Sequence, residues 1–161
     1  MSTNLSNTAA IAANPLLIGK GLPPFDQIAP EQVVPAMTQL MADLDTSLTQ
    51  LETTVQPTWE GLVEPLQALE ERLRWSWGMV GHLMGVKNSP ELREAYETVQ
   101  PQVVEFYNRL GQSRPLYEAF KAIQASEGWA TLDPAQQRIV DSSIRSAQLA
   151  GVGLEGDARS R

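Results

Sequence analysis

Hydrolysis or group transfer needs a nucleophile, a general base or a metal, and this chain offers few residues of those kinds. Histidine occurs once, at His82, and cysteine not at all. Disulfides, thiolate metal sites and cysteine nucleophiles are therefore excluded. A hydrolytic zinc takes two or three imidazole or thiolate ligands with a carboxylate, so His82 alone does not hold one. Glu60, Glu64, Glu70 and Glu71 crowd one stretch and suggest a carboxylate-only metal site. Di-iron bundles, however, pair Glu with His three residues on, and no Glu-x-x-His occurs here; a solvated helix face accounts for these acids. His82 has no Asp or Ser nearby in sequence to form a relay, which leaves a packed or capping histidine. Gly151-Val152-Gly153 lacks the third glycine and preceding strand of a dinucleotide fingerprint and reads as a helix stop. Of the four tryptophans, Trp77 falls on an apolar stripe. Trp75 falls off it, which predicts that Trp75 faces a partner surface.

The elements that must carry these residues are helical. A proline-led start at Ala29-Pro30-Glu31 suits a first turn, where the missing N–H costs nothing. Val34, Met37, Met41, Leu44, Leu48, Leu51 and Val55 follow at three-four spacing, one stripe of a helix. Gln56-Pro57 breaks it, and Thr58 is placed to cap a second helix striped by Leu62, Leu66, Leu69, Leu73, Trp77, Val80 and Met84. A short loop between two long striped helices predicts an antiparallel hairpin. Pro65 predicts a kink near the start of the second helix, and Gly78, Gly81 and Gly85 predict close helix packing or a weakened end. Ser89-Pro90-Glu91 opens a third helix through Leu92, Tyr96, Val99, Val103, Phe106 and Leu110. A shorter helix follows Pro115. A last one opens at Asp133, which forms a capping-box pair with Gln136. No segment alternates like a strand. The fold class expected is all-α, a helical hairpin extended into a bundle of about five helices.

The formal charge is −7, from 12 basic and 19 acidic residues, and the basic residues are interspersed with carboxylates. That pattern excludes a phosphate-backbone partner, so no nucleic acid is expected. No apolar run reaches the ~18 residues of a spanning helix, so no membrane partner is expected either. The opening lacks the basic start and long apolar middle of a secretion signal, and the location expected is cytoplasmic. The boundaries expected are an extended leader over 1–25 holding the anchor Asn14-Pro15-Leu16-Leu17, a helical domain over 26–154, and a tail over 155–161 that marks a truncation point.

Several stretches go beyond composition. Asn14-Pro15-Leu16-Leu17, Leu22-Pro23-Pro24-Phe25, Ile28 to Ala36, His82-Leu83 with Val86 to Glu97, Ala130-Thr131-Leu132, and Gly151 to Leu154 occur in an order that resembles the oligopeptidase A branch of the thimet-oligopeptidase family of zinc metallo-oligopeptidases. The resemblance implies a mainly helical two-lobed enzyme whose deep channel admits short peptides. It also implies a zinc held by an H-E-x-x-H helix and a later glutamate, in a C-terminal catalytic lobe. None of those ligands occurs here, so no catalytic or metal residue is carried over, and the chain is expected to be inactive alone. The implied role is an N-terminal helical domain forming part of the channel wall, with the C-terminal catalytic lobe as partner and short peptides as substrates. His82, Lys87 and Asn88, in the best-matching stretch, are the candidates for a channel or interdomain surface. The alternative is a free-standing helical module that binds peptides or proteins.

Overall fold

The computed structural model describes residues 14–152. Among them are five α-helices and no strand: α1 Pro30–Thr54, α2 Glu64–Val86, α3 Pro90–Gly111, α4 Arg114–Gln124 and α5 Pro134–Leu149. The all-α class and the α1–α2 hairpin are as the apolar periodicity requires. The described chain divides into two compact units, residues 14–46 with 68–104 and residues 47–67 with 105–152, so that each of the three longest helices contributes to both.

In the first unit the core is built from Val33, Met37, Leu40, Met41 and Leu44 of α1, Leu69, Leu73, Met79, Val80 and Leu83 of α2, and Leu92, Val99 and Val103 of α3. After Leu73 the inward face of α2 keeps Val80 of the expected stripe but shifts towards its other side. Ser76, Met79 and Leu83 are buried, whereas Trp77 and Met84 are half-buried. The cause lies far away in sequence. Residues 14–28 form a strap that packs on α2, and the strap claims the Ser76 side of the helix.

That strap is not extended at its anchor. Pro15–Leu17 is a 3-10 turn capped by Asn14, whose Oδ1 accepts from the Leu16 N–H at 3.0 Å while its Nδ2 donates to the Gln32 carbonyl at 3.0 Å. Leu16 is fully buried, and the Ser76 hydroxyl donates to its carbonyl at 2.6 Å. The strap then bends at Gly19 and Gly21, both at positive φ, a region open to glycine without steric cost. A second 3-10 turn, Phe25–Gln27, leads into α1. There the Gln32 side chain accepts from the Ala29 N–H at 2.8 Å and closes the first turn.

In the second unit, Leu48 and Leu51 of α1 and Phe106 of α3 are buried with Leu116, Phe120 and Ile123 of α4 and Val140 and Ile144 of α5. The irregularity expected at Pro65 is displaced upstream. Trp59–Val63 forms a wide turn, capped by Thr58 Oγ1 accepting from the Gly61 N–H at 3.0 Å, and Pro65 falls harmlessly in the first turn of α2. Gly61 is required here. A Cβ would lie 2.6 Å from Gln56 Cβ and 2.9 Å from the Gln56 carbonyl oxygen. A polar cluster joins α1 to the start of α4. Arg109 donates to Thr49 Oγ1 at 2.7 Å and to Glu52 Oε2 at 3.1 Å, and the buried Ser113 hydroxyl donates to Glu52 Oε1 at 2.7 Å. The expected capping box of Asp133 and Gln136 opens α5. Gly151, at φ 88°, ends it, with the Val152 N–H bonded to the Ala147 carbonyl and the Gly151 N–H to that of Gln148.

The three glycines of α2, read from the sequence as close packing or a weakened helix end, have open space beside them. Among the described residues, a Cβ added at Gly78, Gly81 or Gly85 would meet nothing within 4 Å. They serve no close packing among the described residues, and a glycine costs a helix interior about 0.8–1 kcal/mol relative to alanine.

Candidate functional site

The α2–α3 junction carries Lys87 and Asn88, and its geometry is set by capping. Asn88 Nδ2 donates to the Met84 carbonyl at 2.9 Å, covering the open end of α2, while Arg93 donates to Asn88 Oδ1. Ser89 Oγ accepts from the Leu92 N–H at 3.2 Å and starts α3. The Glu91 carboxyl is held below its ordinary value by its own backbone N–H, then by the Ser89 hydroxyl, against slight desolvation. The positive end of α3 is thus already answered by an acid of its own first turn.

Lys87 and Asn88 come together on one wall of a cavity of about 340 Å³, whose apolar floor includes Ile28, Leu83 and Leu92 and whose rim includes Asp26 and Ser89. His82 does not line it. Its exposed imidazole lies against the Phe25 ring, centroids 4.7 Å apart at 44°, on the strap that leads to Asp26. The three residues singled out by sequence therefore occupy one region without forming one group. Phe25 is the member sequence reading passed over; it lies 57 residues from His82 and only the fold pairs them.

Trp75 is half-buried with its Nε1 directed at the Gly21 carbonyl, 3.5 Å away at the limit of a hydrogen bond. Trp77 stacks on Tyr96, centroids 4.5 Å apart and 19° from parallel. Among the four crowded acids, Glu70 is half-buried. Partial burial raises its pKa above 4.5, with Arg74 opposing the shift. Among the described residues, no three His, Cys, Asp or Glu side chains are grouped to hold a metal ion. With one imidazole and no thiolate in the whole sequence, the donor set does not fit a catalytic zinc.

Comparison with known proteins decides the family. Residues 37–159 match the family model described as Neurolysin/Thimet oligopeptidase, N-terminal domain. The chain belongs to the thimet-oligopeptidase family. As an N-terminal domain of that family it is 46% identical over 155 residues to "Probable cytosolic oligopeptidase A" of Arabidopsis thaliana, covering 96% of this chain and 22% of that protein. It is likewise 46% identical over 149 residues to the "Organellar oligopeptidase A, chloroplastic/mitochondrial" of the same plant, covering 92% and 19%. To oligopeptidase A of Escherichia coli it is 40% identical over 149 residues, covering 92% and 22%. This N-terminal domain thus spans about a fifth of the length of the curated relatives it matches. No helix among its described residues is long and apolar enough to cross a membrane.

Proposed function

We propose that this chain is the N-terminal helical domain of a cytoplasmic zinc metallo-oligopeptidase that degrades short peptides, and that it forms part of the substrate-channel wall. One observation carries the reading. Nearly the whole chain matches oligopeptidases A collinearly, but only over about a fifth of their length. The lone His82 and the absence of cysteine support assigning the zinc, the water it activates and the peptide-cleaving step to a C-terminal catalytic lobe. The domain's own contribution is architectural: capped, bonded helices that give a channel a fixed wall. His82, Lys87 and Asn88 are its candidates for the surface turned to that channel or lobe.

Two measurements test this. The purified chain is expected to leave a quenched-fluorescent oligopeptide intact; chelator-sensitive turnover by the chain alone refutes the assignment. Substituted for the matching first fifth of Escherichia coli oligopeptidase A, the chain is expected to support cleavage of short peptides. A folded but inactive chimera argues instead for a separate interaction module.

A further inference from the structure

Among the described residues, nothing covers the exposed side of the last part of α2. Gly78, Gly81 and Gly85 follow at three-four spacing, and a Cβ at any of them meets nothing described within 4 Å. Val86, the last residue of the helix, is 68% exposed. Leu22, 95% exposed, lies on the strap between its contacts with Trp75 and His82. In a chain with 31 charged residues, the nine from Gly78 to Val86 include none of them. The segment therefore carries the helix-weakening cost of three glycines, is flanked by bare apolar side chains, and has no charge to keep it in water.

We propose that this face of α2 is the seat of a helix from the remaining four fifths of a longer oligopeptidase chain, packed closely over the glycines. The inference rests on the reading of the chain as an N-terminal domain. It adds the surface on which the rest of the enzyme bears. The length of the relatives supplies the occupant, since this chain covers only 19–22% of them. The chemistry of the face selects a helix. The α2 backbone is already hydrogen-bonded internally, and three of its outward residues have no side chain. An extended peptide laid here leaves its own N–H and C=O groups without partners, at the usual cost of buried polar groups. A helix brings its backbone groups already satisfied, and glycines let the two backbones approach.

The test compares one triple variant in two settings. Gly78→Gln, Gly81→Gln and Gly85→Gln together are expected to raise the Tm of this chain alone by about 5 °C, because glutamine is a better helix former and meets open space. In the chimera with Escherichia coli oligopeptidase A, the same substitutions are expected to lower Tm and to reduce oligopeptide turnover at least tenfold. A chimera that gains stability in step with the isolated chain, or keeps its turnover, overturns the docking face while leaving the N-terminal-domain reading intact. An isolated chain that unfolds on substitution also overturns it, by showing that the glycines serve this domain. So does self-association of the unsubstituted chain that the variant abolishes while the chimera is unaffected, which assigns the face to a second copy. An inactive unsubstituted chimera removes the underlying reading and this inference with it.

Discussion

Replacing Ser76 by alanine tests how the strap is held. The Ser76 hydroxyl donates to the Leu16 carbonyl at 2.6 Å and also lies 3.2 Å from the Arg72 carbonyl; Ser76 and Leu16 are both almost wholly buried. Without the hydroxyl, the Leu16 carbonyl is left in an apolar setting with no replacement donor, a loss of about 1–3 kcal/mol. Alanine returns about 0.5 kcal/mol through its better helix propensity. The net destabilisation expected is about 0.5–2.5 kcal/mol, or roughly 2–8 °C in Tm for a chain of this size. The strap has a ceiling of its own, because undocking it exposes Leu16 at about 1.5–3 kcal/mol. Much of the loss should therefore appear locally. In native-state hydrogen exchange, the Leu16 and Leu17 amides, bonded to Asn14, should lose protection while amides in the middle of α4 keep theirs. Urea denaturation followed by tryptophan fluorescence gives the global term. Equal stability of variant and parent within about 0.3 kcal/mol, together with unchanged exchange at Leu16 and Leu17, refutes the argument that this bond ties the strap to α2.

Three further outcomes are expected. Glu52→Ala removes the acceptor shared by Arg109 and the buried Ser113 and should cost about 1–3 kcal/mol in urea denaturation; Glu52→Gln, which can still accept from Ser113, should cost less, and equal costs speak against the network. Gly61→Ala drives a Cβ to 2.6 Å from Gln56 Cβ and should cost about 1–3 kcal/mol by the same assay, where an ordinary surface Gly→Ala in a helix stabilises. The Glu70 carboxyl has a raised pKa in the fold, so the folded state binds its proton more tightly than the unfolded chain above pH 4.5. Its contribution thus falls as pH rises through that window and is a full penalty above it. Glu70→Gln should flatten this part of the stability–pH curve and raise Tm at neutral pH, and a lowered Tm counters the argument.

Local signals in the sequence were sufficient wherever the physics is local. Proline at the first turn of α1, Thr58 and Ser89 as caps, the Asp133–Gln136 pair and the stop at Gly151 all depend on residues within a few positions of each other, and each is found in its expected role. Beyond Leu73 the stripe of α2 gives the buried Val80 but not the burial of Ser76, Met79 and Leu83. Both Trp77 and Ser76 continue a three-four pattern, and polarity favours the tryptophan. What decides for Ser76 is the Leu16 carbonyl, 60 residues away. The neighbour of Trp75 within the domain is likewise distant in sequence, the Gly21 carbonyl of the strap. The glycines of α2 fit either close packing or a weakened end by sequence, because spacing alone cannot say on which side of a helix a neighbour lies. At the candidate site, the capping roles of Asn88 and Ser89 are local and readable, whereas the cavity shared by Asp26 and Lys87 exists only once the strap has docked.

The strap also sets a schedule for biosynthesis. Leu16 leaves the ribosome about 60 residues before Ser76, the group that receives it. At ordinary translation rates of 5–20 residues per second, that is a wait of about 3–12 s. Helical turns form in well under a millisecond, so α1 has ample time to coil while its leading segment still has no groove. The Asn14–Leu17 turn therefore stays bare for seconds and closes over α2 only after α1 and α2 have both been made.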